Sequence, residues 1–332
     1  MSERGRRETG QLRAVPPSGG ITTDIEPNQA DRSPGGPVGL IAGWGQYPVV
    51  IARALRRRGH RVCCLGVRGH ADPVLAKLCD QFHWMGLARF GSAIRYFHRR
   101  GVKRATMAGK IHKQFMFQRW FVLKQLPDWT TIRAFAPHFF TRRADCKDDS
   151  LLGRVVALFA GHGIHLAPAT DYAPELLAPC GQLTRRGPTK SEWLDIQFGW
   201  RIAKALGQLD CGQTVAVKSQ AVLALEAVEG TDACIERAGR LCPAGAFTVV
   251  KVAKPQQDMR FDVPTVGPST LESMLRAGAK VLAVEAYRTI VLERENLIRT
   301  ANQKGIAVVC IKNGDCPPEA PVPGDPCPSR ER

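Results

Sequence analysis

Two α/β domains, the first of a Rossmann-like kind, are predicted by three features of the sequence. The chain has 332 residues, more than the roughly 250–300 that one hydrophobic core usually accommodates. Short apolar runs alternate with segments of helical spacing along most of it, the pattern of helices packed on a largely parallel sheet. A glycine-rich turn joins the first apolar run to the first helical segment, as in the strand-turn-helix starts of nucleotide-binding folds.

Taken in order, the run Val38-Gly-Leu-Ile-Ala42 reads as a strand, and Gly43-Trp-Gly-Gln-Tyr-Pro48 closes it. Val49, Val50, Ala52, Ala54 and Leu55 then recur at helical spacing until Gly59. Arg61-Val-Cys-Cys-Leu-Gly-Val67 follows as a second buried strand, which makes a parallel βαβ unit. Helices near 72–79 and 88–100 alternate with strands near 81–85 and 103–108. Beyond them the pattern predicts a helix near 148–160, a loop through His162 and His165, a helix at 190–207 and a strand at 214–217. The apolar run 221–225 reads as a buried strand, and strands near 247–252, 281–285 and 306–310 with helices near 269–277 and 291–304 complete a second α/β domain. The division drawn is 37–165 for the Rossmann-like domain and 166–313 for the second, catalytic one. Segments 1–36 and 314–332, rich in Gly, Pro and charge without periodicity, read as disordered tails.

Composition narrows the function classes. With 44% hydrophobic and 23% charged residues the chain is globular rather than disordered or collagen-like. A net charge of +17 favours polyanionic partners: nucleic acid, anionic lipid or phosphorylated substrates. The stretch 95–147 carries thirteen Lys and Arg against Asp128 and Asp145, with aromatics that include Phe115, Phe117, Trp120, Phe121, Phe139 and Phe140. That mixture suits an anionic membrane surface or single-stranded nucleic acid. No run of about 18 apolar residues occurs and the first 36 residues lack a signal-peptide core, so a cytoplasmic protein is expected. Eleven scattered cysteines without a CxxC pair read as reduced thiols, mostly small core residues.

Three segments offer chemistry. The turn at Gly43, Gly45 and Gln46 leaves backbone N–H groups to bind uridine or phosphate at a helix N-terminus. The dinucleotide fingerprint needs a glycine where Pro48 stands and an acid after Leu65-Gly66-Val67-Arg68, which disfavours NAD; Arg68 keeps an NADP-dependent oxidoreductase as an alternative. The run Lys254-Pro-Gln-Gln-Asp-Met-Arg-Phe-Asp-Val-Pro264 is richer. Asp258, Arg260 and Asp262 share one side of an extended chain, and a helical turn would still bring Asp258 and Asp262 together at i, i+4. Two converging carboxylates suit Mg²⁺, while Arg260 and Lys254 can stabilise phosphate charge and Gln257 lies among them. The third segment supplies Gln213, Glu226, Glu229, Thr231 and Asp232 as substrate-binding candidates, with Gly230-Thr231-Asp232 also expected to cap the next helix. His162 with His165, and Cys63 with Cys64, lack the further ligands of a zinc site, and no GxSxG, P-loop or HExxH motif is present.

The blocks Gly39-Leu-Ile-Ala-Gly-Trp-Gly-Gln-Tyr-Pro48, Leu209-Asp-Cys-Gly-Gln213, Ala224-Leu-Glu-Ala-Val-Glu-Gly-Thr-Asp232 and Lys254-Pro-Gln-Gln-Asp-Met-Arg-Phe-Asp-Val-Pro-Thr-Val-Gly267 resemble those of the LpxI-type UDP-2,3-diacylglucosamine pyrophosphatases of lipid A synthesis. The likeness spans about 38–311. It implies an active site between two domains and Mg²⁺-dependent hydrolysis of UDP-2,3-diacylglucosamine to UMP and 2,3-diacylglucosamine 1-phosphate, by water attack on the α-phosphorus. It also implies an essential aspartate in the second domain, which is Asp262 or Asp258, with Asp262 favoured. The working mechanism places Mg²⁺ on Asp258 and Asp262, with Arg260 and Lys254 stabilising the transition state. Peripheral association with the inner-membrane surface is expected, a homodimer is left open, and no nucleic-acid partner is expected. An RNA-binding or membrane-binding module built on 95–147 is the non-enzymatic alternative.

Overall fold

The computed structural model describes residues 36–111, 127–140, 148–312 and 314. The two tails, apart from Gly36 and Gly314, lie outside the described residues, as do 112–126 and 141–147 of the basic stretch with Phe115, Phe117, Trp120 and Phe121; the side chains of Phe139 and Phe140 are likewise outside.

Strands β1 (Pro37–Ala42), β2 (Arg61–Val67), β3 (Gln81–Met85), β4 (Arg104–Ala108) and β5 (His165–Ala167) form one sheet in the order β3-β2-β1-β4-β5. Every pairing in it is parallel. The period of two along a strand divides its residues between two cores. Leu40, Val62 and Cys64 face a layer with Ile51 and Leu55 of helix α1 (Tyr47–Arg57) and Leu75 of helix α2 (Leu75–Leu78). Ile41, Cys63 and Leu65 face Ile94 and Phe97 of helix α3 (Phe90–Arg99), Phe135 of helix α4 (Trp129–Phe140) and Phe159 of helix α5 (Asp148–Gly161). The adjacent Cys63 and Cys64 therefore serve opposite faces as buried free thiols. Strand β5 spans the 165/166 division, and Tyr172 and Ala173 still belong to the first sheet's core.

The second sheet is mixed. Strands β6 (Gly181–Gln182), β7 (Thr214–Lys218), β8 (Ala221–Leu225), β9 (Thr248–Lys251), β11 (Val281–Glu285) and β13 (Ala307–Ile311) lie in the order β6-β13-β11-β9-β7-β8, while β10 (Thr265–Val266) pairs with β12 (Ile290–Val291) alone. The central β13-β11-β9 pairings are parallel; β6, β7 and β8 pair antiparallel. Helix α6 (Lys190–Gln208), opened by a capping box between Thr189 and Glu192, covers one face with Ile196, Trp200 and Ala203. Helices α7 (Thr231–Leu241), α8 (Pro268–Ala277) and α9 (Arg294–Lys304) cover the other through Ile235, Leu271, Met274 and Leu297.

One predicted element differs. The run 221–225 is a strand but not a buried one: β8 is an edge strand, and its Val222 and Leu225 are exposed at 40% and 38%. Apolar character alone does not separate an edge strand from a central one. No helix among the described residues is long and apolar enough to cross a membrane.

Candidate functional site

Within the first sheet the chain runs from β1 outward to β2 and β3, and then returns to the other side of β1 for β4 and β5. The crevice beyond the C-terminal ends of β1 and β4 is the place where such sheets bind ligands. Here the two ends are sewn together. Gly43 N–H donates to Ala108 O at 2.8 Å, Trp44 N–H to Lys110 O at 2.8 Å, and Lys110 N–H back to Trp44 O at 3.0 Å. Glycine is required for this approach: a Cβ on Gly43 would stand 2.8 Å from Lys110 O, and one on Gly109, with φ of 95°, would stand 2.8 Å from the Gly43 carbonyl carbon. The amide of Gly43 is consequently committed to the backbone and not available to a phosphate, contrary to the sequence reading. Gly45, at φ 102° with open space where a Cβ would be, and Gln46, which starts α1, keep backbone N–H groups that bond no other described residue.

The 254–264 segment takes the helical alternative. Gln257 N–H donates to Lys254 O at 3.1 Å and Asp262 N–H to Asp258 O at 3.0 Å, so the chain coils through two short turns. Inside them Arg260 captures Asp258. Its Nε lies 2.9 and 3.0 Å from the two carboxylate oxygens, its Nη2 also bonds Oδ2, and its backbone N–H donates to Oδ1 at 3.0 Å. Burial pushes the Asp258 carboxyl up, but the hydrogen bonds from Arg260 outweigh it and hold the group below the usual carboxylate range. The same hydrogen bonds raise the Arg260 guanidinium above its ordinary value. Lys254 is also engaged, its Nζ bonded to Asp210 Oδ1 at 2.5 Å. Both oxygens of Asp258 thus serve Arg260, and sequence spacing could not reveal which neighbour the carboxylate would choose. Asp262 differs from Asp258. Its carboxylate accepts no hydrogen bond among the described residues, and the neighbouring Phe261 packs against the first sheet's core, as Met107 and Ile111 do.

Asp262 acts electrostatically on Lys251, the last residue of β9. Lys251 is 3% exposed. Its Nζ donates to Thr231 Oγ1 at 3.0 Å and to Thr265 O at 2.9 Å. Thr231 Oγ1 in turn donates to Glu226 Oε1 at 2.9 Å, and Glu226 Oε2 accepts the Gln213 N–H at 3.3 Å. Burial lowers the Lys251 ammonium from its ordinary value; Glu226, Asp232 and Asp262 act in the opposite sense, while Lys110 from the first sheet adds to the lowering. Gly212 is another close-approach glycine, because a Cβ there would lie 2.2 Å from Glu226 O.

The structure therefore links Thr231, Glu226 and Gln213 by hydrogen bonds to one lysine that sequence reasoning missed, with Asp232 and Asp262 acting on it electrostatically. Helix α7 begins with Gly230 at φ 86° as its N-cap and no side-chain cap, so Thr231 is not the predicted cap; its hydroxyl is spent on Glu226. Glu229 is not at this centre and pairs with Arg237 at 2.9 Å. Gln257 Oε1 accepts the Lys254 N–H at 2.8 Å, whereas Gln257 Nε2 and Gln213 Oε1 are buried without a partner. Buried polar atoms of that kind need an explanation, of which a ligand is one. For a divalent ion, no group of three His, Cys, Asp or Glu is placed to hold a metal among the described residues. The carboxylates left without hydrogen bonds are Asp262 and Asp232, which fits an ion held by one or two carboxylates with phosphate oxygens and water completing its shell.

Lys251 and Lys110 had a signal in the sequence. Each is the charged residue at, or just past, the C-terminal end of a β-strand, which is where sheets of this kind place ligand contacts.

Two family models match the chain in succession. Residues 37–176 match the LpxI N-terminal domain and residues 179–309 the LpxI C-terminal domain. A relative from Caulobacter vibrioides, named UDP-2,3-diacylglucosamine pyrophosphatase LpxI, is 30% identical over 279 residues, which cover 82% of this chain and 96% of the relative. The first model covers the sheet that carries the glycine turn, the second the sheet that carries Lys251, and together they establish that the chain belongs to the LpxI family.

Proposed function

We propose that the chain hydrolyses UDP-2,3-diacylglucosamine to UMP and 2,3-diacylglucosamine 1-phosphate in lipid A biosynthesis, at a site between the two sheets centred on Asp262. The family membership and the name of the Caulobacter relative support the activity. One observation carries the location: Asp262 keeps an uncommitted carboxylate beside Lys251, on a turn whose Phe261 leans on the first sheet's core.

In this reading the oxygen of a water molecule bonds to the α-phosphorus while the bond from that phosphorus to the bridging oxygen breaks. The bridging oxygen leaves with its electron pair on the sugar 1-phosphate, and a proton of the water passes to Asp262 and on to solvent. General-base assistance of this kind contributes typically about 10²–10⁴-fold. Asp232 and Asp262 would hold Mg²⁺, which when bound would supply charge neutralisation for the diphosphate. Asp258 and Arg260 set the shape of the turn that presents Asp262. The free N–H groups of Gly45 and Gln46 and the unpartnered amide atoms of Gln213 and Gln257 are suited to polar groups of the nucleotide. A substrate with two acyl chains also requires contact with a membrane. The net charge of +17 and the exposed Trp44 and Trp129, at 50% and 76%, favour peripheral docking on an anionic surface.

The test is UMP release by purified Asp262→Ala, which is expected to fall at least about 10²-fold while the melting temperature holds. Turnover in ¹⁸O water is expected to place the label in UMP; label in the sugar phosphate would move the attack to the β-phosphorus. Near-wild-type turnover by Asp262→Ala would overturn the assignment of the site.

A further inference from the structure

We propose that the surface formed by α3 and the start of α4 docks on an anionic lipid bilayer, with an arginine-lined cleft taking a phospholipid phosphate while Trp129 and Ile132 enter the interface. The inference rests on the hydrolase reading above for its purpose, since a diacylated substrate resides in a membrane, and adds to it the place and chemistry of the contact.

Three observations lead to it. First, a cleft of about 430 Å³ opens beside β3 and α3, with His83, Ser92, Arg95, Tyr96, Arg99 and Arg100 in its lining and no acidic side chain among the described residues there. Its arginines keep their charge to offer. Among the described residues Arg95 donates to Ser92 Oγ at 3.1 Å and Arg100 to Gln81 Oε1 at 3.2 and 3.3 Å, Arg99 makes no hydrogen bond, and none of the three forms an ion pair. Arg100 is also held in place, its guanidinium 4.1 Å from the centre of the Tyr96 ring, on which His83 stacks at 5.6 Å. The Tyr96 hydroxyl is buried without a partner among the described residues, and a bound polar group is one way such an atom is satisfied. Second, Trp129 and Ile132 of α4 are 76% and 42% exposed, and their spacing of three puts them on one side of the helix beside the exposed Arg133. Apolar side chains rimmed by basic ones are suited to the boundary between headgroups and acyl chains. Third, cleft and apolar pair are one surface. Asp128 accepts the Ser92 N–H of α3 at 2.8 Å and, from α4, the Thr131 N–H at 3.0 Å and hydroxyl at 2.7 Å. Gly91 permits the approach, because a Cβ there would lie 2.5 Å from Thr130 Oγ1. The carboxylate of Asp128 is thereby occupied, and the sequences of α3 and α4 contain no other acid.

Charge and shape together select the occupant. A second copy seated on this face by a two-fold axis would set arginines against arginines. Single-stranded nucleic acid would answer the arginines, but Ile132 has no ring on which a base could stack. An anionic bilayer answers both halves: its phosphates match the planar guanidinium groups, and its interface takes the indole and the isoleucine.

The experiment is vesicle flotation of the full-length protein, at about 0.15 M ionic strength, with vesicles of phosphatidylcholine alone or of phosphatidylcholine mixed with phosphatidylglycerol. Wild type is compared with Arg95→Gln/Arg99→Gln, with Trp129→Ala, and with Arg185→Gln/Arg299→Gln, which removes two exposed charges from the second domain. Melting temperatures are recorded for all four and are expected to agree, because the replaced side chains are exposed. Wild type and the second-domain control should float with the phosphatidylglycerol vesicles and not with the neutral ones. The Arg95/Arg99 variant should lose about tenfold or more in partitioning, and Trp129→Ala severalfold. Wild-type partitioning by the Arg95/Arg99 variant would overturn the proposal. So would an equal loss in the second-domain control, which would make net charge rather than this face responsible. Tighter binding to a single-stranded oligonucleotide than to the vesicles, or binding of inorganic phosphate with none of the vesicles, would assign the face to another ligand and overturn it as well. The hydrolase reading is scored separately by Asp262→Ala, which should float like wild type and release almost no UMP: its activity sinks the catalytic site alone, and a failure of flotation sinks the docking surface alone.

Discussion

Replacing Phe261 with alanine separates the two jobs of the Asp262 turn. The ring packs from the second domain's segment onto the core formed by Ile41, Leu65, Phe97 and Phe159 of the first. Truncating a fully buried Phe costs about 3–5 kcal/mol. Phe261 is only partly buried, so about half of that, roughly 1.5–2.5 kcal/mol, is expected. For a chain of this size each kcal/mol moves the melting temperature by about 2–4 °C, which predicts a fall of several degrees in a thermal scan. The effect on turnover should be larger than that on stability. Asp262 is the next residue and its carboxylate accepts no hydrogen bond among the described residues, so loss of the anchor frees that carboxylate to drift, and a misplacement of about 1 Å can cost about 10²-fold. Phe261→Leu, which keeps an apolar anchor, should recover most of both. The assay is UMP release at saturating substrate, well below the melting temperature of each variant. If Phe261→Ala melted and turned over like wild type, the turn would not be held by the first domain, and the placement of Asp262 between the sheets would lose its support.

Other perturbations read separate parts of the molecule. Gly43→Ala drives a Cβ to 2.8 Å from Lys110 O, so the ends of β1 and β4 must part; activity should fall at least tenfold with a lower melting temperature, while Gly45→Ala meets no atom and should act only through its φ of 102°. The buried Asp195 accepts the N–H groups of Ser219 and Gln220, which hold positive φ in the β7–β8 turn; Asp195→Ala removes both hydrogen bonds to a charged acceptor and should cost about 1–3 kcal/mol in chemical denaturation. Asp258 is held below the ordinary carboxylate range, so its contribution to stability is complete above the unfolded carboxyl's pKa of about 3.9 and is lost as pH falls through the lower folded value. Wild type should therefore exceed Asp258→Asn in melting temperature near neutrality and converge with it in strong acid; a constant gap down to pH 2 would contradict the ion-pair account.

What the sequence disclosed and what it concealed follow from how far each signal reaches. The apolar periods of two and of 3.6 are local, and they located β1, α1, β2 and the strand-helix alternation of the second domain to within a few residues. They could not say that β8 lies at the edge, because edge position depends on which strands arrive later in the chain. The carboxylates posed the same problem on a smaller scale. Asp258 and Asp262 are equivalent by spacing, yet the guanidinium between them bonds to Asp258 alone, a choice made by the turn's fold, while Phe261 finds a core whose residues, such as Phe97 and Phe159, lie far away in sequence. Lys251 was hidden for a related reason. A lysine after Thr248-Val-Val250 looks like the solvated end of a strand, and it becomes a buried cation only because β10 supplies the Thr265 carbonyl and α7 turns the Thr231 hydroxyl toward it. The site is thus assembled by contacts between segments that carry no mark of each other. Strand ends in parallel sheets repay inspection for this reason: a charged residue there is exposed by its own sequence and becomes buried only through its neighbours.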